Sequence, residues 1–294
     1  MKTTRANWSQ AYSDMVNRNI GFTSLEDQER LRQAKVTVFG MGGIGGTAFE
    51  ILVRTGIGRF TIVDRDVFDA TNLNRQVFAT HQTLGRLKTE VAAEWARAIN
   101  AEVEIATFEH VNEESIAAIL DGADAAVLGI DSLAPCIIAS RRCRELAIPL
   151  VEGWAIPYGN VRVFTRDTPT LEDTYELPTS GRRVADVSDK EMQRLGLAVF
   201  GQLAQIEGIR GFYSDDVVEE IRKGRIVSFA PVVRLTAVLL ALETTKVLLR
   251  QGRLAVAPYF SLYDPFFHRI PKLPGQTEST RQRGASDQLS THSG

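Results

Sequence analysis

VTVFGMGGIGGTAFEILVRTGIGRFTIVDRDVFDATNLNRQ, residues 36–76, divides into four readable pieces. Residues 36–39 are a short apolar strand. Residues 40–45 are a glycine turn, and an amphipathic helix follows, ending near Arg54. Residues 60–63 form a second strand that ends on Asp64. The turn reads G-x-G-x-x-G at Gly40, Gly42 and Gly45, with Gly43 inside it, and it stands in the strand–turn–helix setting that gives the pattern meaning. Glycines there let the backbone turn tightly and come close to a phosphate. The helix N-terminus then presents unpaired N–H groups and a positive dipole end to the anion. Asp64 falls where an acidic residue meets a ribose hydroxyl. The stretch predicts a nucleotide-binding βαβ unit; the blander alternative is a glycine turn that only packs helix on strand.

The chain beyond Asp64 does not run straight into a third strand. It passes through Arg65, Asp66, Asp69, Asn72, Asn74, Arg75 and Gln76, then through Leu84-Gly85-Arg86-Leu87-Lys88 into a helix ending near Asn100. Asp66, Asn72, Arg75, Gln76 and Lys88 therefore fall beside the phosphate turn. That is more cationic and amide character than a diphosphate bridge needs. It suits a triphosphate, whose outer groups favour Arg and Lys and whose Mg²⁺ favours a carboxylate. A surface loop of mixed charge is the plainer reading of the same composition.

Working outward, residues 102–107 read as a third strand, 113–120 as a helix and 125–129 as a fourth strand that opens on Ile130-Asp131-Ser132. Asp131 thus sits at the carboxyl end of a buried strand, where open α/β sheets keep their ligands. It equally suits a cap for the helix over 133–146, and local sequence does not choose between the two. A fifth strand starts at Leu150. Residues 160–165 alternate in a way that suits a strand leaving the parallel order. The expected fold is α/β: a Rossmann-like doubly wound sheet, parallel in its nucleotide-binding half and with antiparallel strands in its C-terminal half.

From Arg166 the pattern weakens, and the loop signals around 167–170 and 177–181 fit either a crossover loop over the nucleotide site or a plain connector. Residues 192–207 and 215–223 are expected helices, 231–250 is a long apolar helix with proline at its start, and 259–263 is a closing strand. At the other end, residues 7–34 read as helical with a break at 19–22. Arg18 lies just before that break, where an arginine alone is usually a solvated charge. The organisation expected is an N-terminal helical segment (1–34), a main α/β domain (35–270, with a nucleotide-binding half over 35–155 and a substrate or crossover half over 156–270) and a disordered tail (271–294).

With 294 residues and 44% apolar content the chain can bury a large core, and its formal charge of −2 leaves no basic footprint for nucleic acid or an anionic membrane. No apolar run approaches the roughly 18 residues of a membrane span, and the polar N-terminus lacks a signal-peptide core. Cys136 and Cys143 are the only cysteines. They allow neither a disulfide framework nor a four-cysteine zinc site, so a reducing cytoplasm is expected.

In combination, Asn17-Arg18-Asn19-Ile20, Gly40-x-Gly42-Gly43-x-Gly45, Asp64-x-Asp66, Asn72-x-x-Arg75-Gln76, Gly85-x-x-Lys88 and Asp131 resemble the ThiF/MoeB/HesA superfamily, the bacterial relatives of ubiquitin-activating enzymes. The resemblance covers residue 18 to about 165 and extends to the 231–250 helix. It implies ATP-Mg²⁺-dependent adenylation of a carboxylate, with pyrophosphate released. It further implies that the glycine turn cradles the phosphates, Asp64 holds the ribose, and Asn72, Arg75 and Lys88 contact phosphates with Gln76 in support. Asp131 would bind the metal. Arg18 would be an arginine finger supplied to the partner subunit of a homodimer.

The chain departs from many relatives in having no C-x-x-C pairs for zinc and no cysteine in the crossover region. Transfer of the acyl-adenylate straight to a nucleophile, without an enzyme thioester, is therefore expected. The activated carboxylate would belong to a peptide, a ubiquitin-like sulfur carrier or a small acid; the wording Arg54-Thr-Gly-Ile-Gly58 is similar to the enzyme that cyclises threonylcarbamoyladenosine in tRNA, although the near-neutral charge does not favour tRNA. Two alternatives stand beside this reading. One is a NAD- or FAD-dependent oxidoreductase on the same βαβ unit. The other is an inactive partner subunit of an activating enzyme.

Overall fold

The computed structural model of the chain describes residues 8–209, 211–223 and 227–271. The tail expected over 271–294 therefore lies, after Pro271, outside the described residues. Helix α1 (Gln10–Val16) and helix α2 (Leu25–Gln33) start on Ser9 and Ser24, whose hydroxyls accept from the third residue on, and a 3₁₀ turn at Asn17–Asn19 separates them. The first half of the sheet then runs β1 (Lys35–Phe39), α3 (Gly43–Arg54), β2 (Arg59–Val63), α4 (Lys88–Ile99), β3 (Glu104–Phe108), α5 (Ile116–Ile119), β4 (Ala125–Leu128) and α6 (Leu133–Glu145). After β5 (Leu150–Glu152) and β6 (Gly159–Phe164) come α7 (Leu171–Thr174), α8 (Asp189–Leu203), α9 (Asp215–Arg222), α10 (Ala230–Leu249) and β7 (Ser261–Tyr263).

The seven strands form one sheet in the order β3-β2-β1-β4-β5-β6-β7. Pairings from β3 through to β5 are parallel, and β6 and β7 are antiparallel, as the alternation over 160–165 suggested. Strands β1 and β4 are covered on both faces, which is why they read as near-continuous apolar runs. One face carries α3, α4 and α10, where Phe49, Leu52, Val91 and Leu240 pack on Val36, Val38 and Ile62. The other carries α5, α6 and α8, where Ile119, Ile137 and Val199 pack on Phe39, Leu128 and Leu150. The order reverses at β1, so the crevice between the carboxyl ends of β1 and β4 is the topological switch point, the place where such sheets bind ligands.

Two helix expectations need correction. The helix expected over 113–120 is only Ile116–Ile119, because Asn112 Oδ1 accepts from the N–H groups of Glu114 and Ser115 and holds those residues in a turn. The helix expected over 192–207 starts earlier, on the Ser188 cap, and stops at Leu203.

Candidate active site

The carboxyl ends of β1, β2 and β4 are stitched together by backbone. Gly40 N–H donates to Val63 O at 2.7 Å and Gly129 N–H to Phe39 O at 2.8 Å. Gly40 has φ +89°, a conformation side chains resist, and a Cβ on Gly45 would fall 2.0 Å from the Gly40 carbonyl oxygen. The glycine turn is thus as tight as its spacing predicts, and Gly42 leads directly into the first turn of α3 with no side chain capping it. The first N–H groups of a helix are the ones left without an intrahelical acceptor, and here they lie at the carboxyl end of β1.

Asp64 braces the turn from the next strand. Its Oδ2 accepts the Met41 N–H at 2.7 Å and its Oδ1 the Asp66 N–H at 2.9 Å. Beyond it, Asp69 and Asn72 close a capping box around the 3₁₀ turn Ala70–Asn72, and the Asn72 carbonyl accepts from both Arg75 and Gln76 N–H. This folds the segment back over the glycines. Gln76 Nε2 lies 3.7 Å from where a Cβ on Gly42 would be, and the stem of Arg75 is 3.4 Å from the same point on Gly43. Asn72 and Gln76 are buried, and Gln76 Oε1 has no hydrogen-bond partner among the described residues. Arg75 is held by Thr71 O and Asn74 Oδ1, both at 2.9 Å. Lys88 opens α4 and is buried, with its Nζ 3.0 Å from Asp66 Oδ2.

Asp131 stands exposed just past the carboxyl end of β4. The helix-cap alternative does not hold: the N-cap of α6 is Ser132, and no side chain caps that helix. Arg18 is not brought to this crevice in its own chain. Its neighbour Asn19 bonds Thr55 O at 3.2 Å and Tyr12 bonds Gly56 O at 2.7 Å, at the opposite end of the twelve-residue α3. That is about 18 Å along the helix axis.

The glycine turn, the segment carrying Arg75, buried Lys88 and exposed Asp131 all follow the carboxyl ends of β1, β2 or β4. The chain belongs to the ThiF family, whose model matches residues 16–283. It is 29% identical over 208 residues to the adenylyltransferase and sulfurtransferase MOCS3 of Anopheles gambiae, covering 70% of this chain and 46% of that one. It is 33% identical over 167 residues to the molybdopterin-synthase adenylyltransferase of Haemophilus influenzae, covering 55% and 69% respectively. The chain thus spans about half to two thirds of the length of these curated relatives. The crystal structure of PaaA superposes with a TM-score of 0.65 at 19% identity over 93% of this chain and 78% of that one, which shows the shared fold.

This ThiF-family chain also holds, beside Asp131, a cluster that sequence reading missed. Glu152 ends β5 and pairs with Arg162 of β6, and Tyr175 donates from its hydroxyl to both Glu152 oxygens at 3.2 Å. The indole N–H of Trp154 donates to the Tyr175 hydroxyl at 2.6 Å. Trp154 then stacks edge-on to Phe200 of α8, centroids 5.5 Å apart, and Phe200 is exposed. The available signal was one acid and one base inside two otherwise buried strands. Segment 166–188 belongs to this half: Leu171, Tyr175, Leu177 and Val184 are buried, and Arg141 of α6 clamps Glu172 at 2.7 Å.

Neither thiol is poised for nucleophilic work. Burial pushes Cys143 up to about 12, and burial followed by the nearby charges of Glu152 and Asp131 raises Cys136 well above the usual thiol range.

Proposed function

We propose that this chain is an ATP-dependent adenylyltransferase that activates a carboxylate as acyl-AMP and passes the acyl group to a nucleophile without an enzyme thioester. The observation that supports the reading is the tight glycine turn at the switch point, with the Arg75 stem packed on Gly43, Lys88 tied to Asp66 just past β2 and Asp131 just past β4. In the reaction a substrate carboxylate oxygen attacks the α-phosphorus, the bond to the β-phosphate oxygen breaks and pyrophosphate leaves. A carboxylate is already a nucleophile at neutral pH, so no general base is required for this step. The acceptor then attacks the acyl carbon and AMP departs.

The residues divide the work by position. The turn at Gly40, Gly42, Gly43 and Gly45 cradles phosphates, and Asp64 reaches the ribose while still bracing Met41. Asn72, Arg75 and Lys88 take the outer phosphates, with Gln76 supporting them from the buried side. Fixed cations there stabilise the charge that accumulates on the departing pyrophosphate. Asp131 fits Mg²⁺ in its donor chemistry, a single exposed carboxylate oxygen ligand beside a phosphate site, and the ion when bound supplies charge neutralisation. In-line attack requires the acyl group to arrive opposite the leaving pyrophosphate, and the β4–β5 side, where Trp154 and Phe200 stand, would receive it.

Residues 35–270 act in this reading as the adenylation unit, with 35–155 holding nucleotide and 156–270 shaping the acyl site. The working form is a homodimer in which Arg18 serves the partner's crevice, and the setting is cytoplasmic; no described helix is long and apolar enough to cross a membrane. The carboxylate belongs to a peptide, a ubiquitin-like carrier or a small acid, ahead of tRNA.

The deciding experiment is ligand-dependent melting with MgATP, ATP plus EDTA, NADH and FAD, on wild type and Asp131→Ala. A ligand at about 100 times its dissociation constant stabilises by about 2.7 kcal/mol. A gain with MgATP alone, lost with EDTA or the substitution, supports the reading. A gain with NADH or FAD instead overturns it in favour of an oxidoreductase.

A further inference from the structure

Lys88 occupies an expensive position for a cation. Its side chain is 7% exposed, and it is the first residue of α4, where the helix dipole is positive and repels it. The N-cap, Leu87, offers no side-chain acceptor. The one ion pair Lys88 makes among the described residues is with Asp66, at 3.0 Å. The two residues are also registered through the backbone: Lys88 N–H donates to Asp66 O at 3.0 Å, Val67 bridges Leu87, and Phe68 N–H donates to Arg86 O at 3.0 Å.

The pair is lopsided. Lys88 needs a counter-ion, because a buried charge without one is strongly destabilising. Asp66 does not need Lys88, since its side chain is 59% exposed and water serves it. A partner with that asymmetry can leave at little expense when a stronger anion arrives. The glycine turn supplies the place for one, with the stem of Arg75 packed against Gly43.

We propose that Asp66 is a placeholder counter-ion for Lys88, which polyphosphate displaces and which retakes Lys88 when pyrophosphate departs. The proposal rests on the adenylyltransferase reading and adds to it a device for product release. With Asp66 in place, Lys88 binds outer phosphates only after giving up a carboxylate, so ATP and pyrophosphate bind less tightly than the cation alone would allow. AMP lacks the groups that reach Lys88 and is indifferent to the exchange. Asp66 is therefore a positioning residue that holds Lys88 in place between turnovers.

The test is calorimetric titration of wild type, Asp66→Asn, Lys88→Met and the double variant with MgATP, ATP plus EDTA, pyrophosphate and AMP. Asp66→Asn should bind MgATP and pyrophosphate about fivefold more tightly, the scale of one ion pair with an exposed partner, and AMP as wild type does. The gain should vanish in the Lys88→Met background, since both residues act through one contact. Equal weakening of ATP and AMP would make Asp66 a ribose ligand and overturn the proposal. So would weakening confined to samples with Mg²⁺, which marks a metal ligand, or unchanged affinity for every ligand. A wild-type protein that binds no MgATP instead defeats the adenylyltransferase reading itself, which separates the two failures.

Discussion

Arg162 Nε donates to Glu152 Oε2 at 2.6 Å inside the sheet, with the two side chains 3% and 2% exposed. The pair is set by register, since Glu152 and Arg162 stand opposite each other on antiparallel β5 and β6. The guanidinium lies over Phe260, Tyr175 and Phe164 at 4.1, 4.5 and 4.9 Å from the ring centroids. Tyr175 belongs to segment 166–188, so one ion pair and its hydroxyl bridge pin that segment to the strand ends beside Asp131. Removing one partner leaves the other buried and charged. Arg162→Ala should therefore cost about 3–5 kcal/mol in urea unfolding, whereas replacing both by apolar residues of similar volume should be close to neutral. A loss under 1 kcal/mol for the single change would show that the pair does not hold the segment.

The same burial that protects this cluster silences the thiols. Cys143 is raised from 9.0 to about 12 by burial, so its contribution to stability is fully present below about pH 9 and is lost as pH climbs toward 12. Tyr12, raised from 10.0 to about 12 mainly by burial, adds a loss over the upper part of that window. Unfolding midpoints should hold steady from neutral pH to about 9 and fall above it. At pH 8 a disulfide reagent should leave both cysteines of the native protein unmodified and titrate both after guanidinium. Cys136→Ala and Cys143→Ala should each retain adenylation; loss of acyl transfer in either would argue for a thioester.

Lys88→Ala and Asp131→Ala test the two flanks of the crevice. Each should lower pyrophosphate release by about 10²–10³-fold, the scale seen when one preorganised group that stabilises developing transition-state charge is removed. Far-ultraviolet circular dichroism should be unchanged for Asp131→Ala, because that side chain is exposed and caps nothing. Undiminished release in either variant would take that residue out of the site.

How far these residues could be read from the chain follows from the range of the forces that place them. β1, the glycine turn, α3 and β2 were legible because strand period, glycine spacing and helix period agree within thirty residues. The turn from parallel to antiparallel order was legible at β6, where Val161 and Val163 alternate. Glu152–Arg162 was not, because it is made across strands and no local pattern pairs an acid with a base ten positions on. Helix α7 is a single turn held by the Thr170–Asp173 capping box and by burial of Leu171, too short to carry a period. The truncated α5 turned on Asn112, whose competition with the helix backbone outweighs the propensity of its neighbours. Asp131 was ambiguous between ligand and cap until Ser132 took the cap position.

Arg18 gives the last prediction, and its placement makes the test specific. In its own chain it is held at the amino end of the sheet by Asn19 on Thr55, with the crevice at the other end of α3. An arginine that contributes to catalysis from there must reach a second subunit. Arg18→Ala and Asp131→Ala homodimers should each be inactive. Mixed in equal amounts and allowed to exchange, half the dimers would be mixed, and each would assemble one crevice with both residues intact. Because the two crevices of a symmetric dimer are otherwise equivalent, activity should recover to about a quarter of wild type. An inactive mixture whose subunits demonstrably exchange would remove Arg18 from the partner's site, and an active Arg18→Ala homodimer would leave it a solvated surface charge.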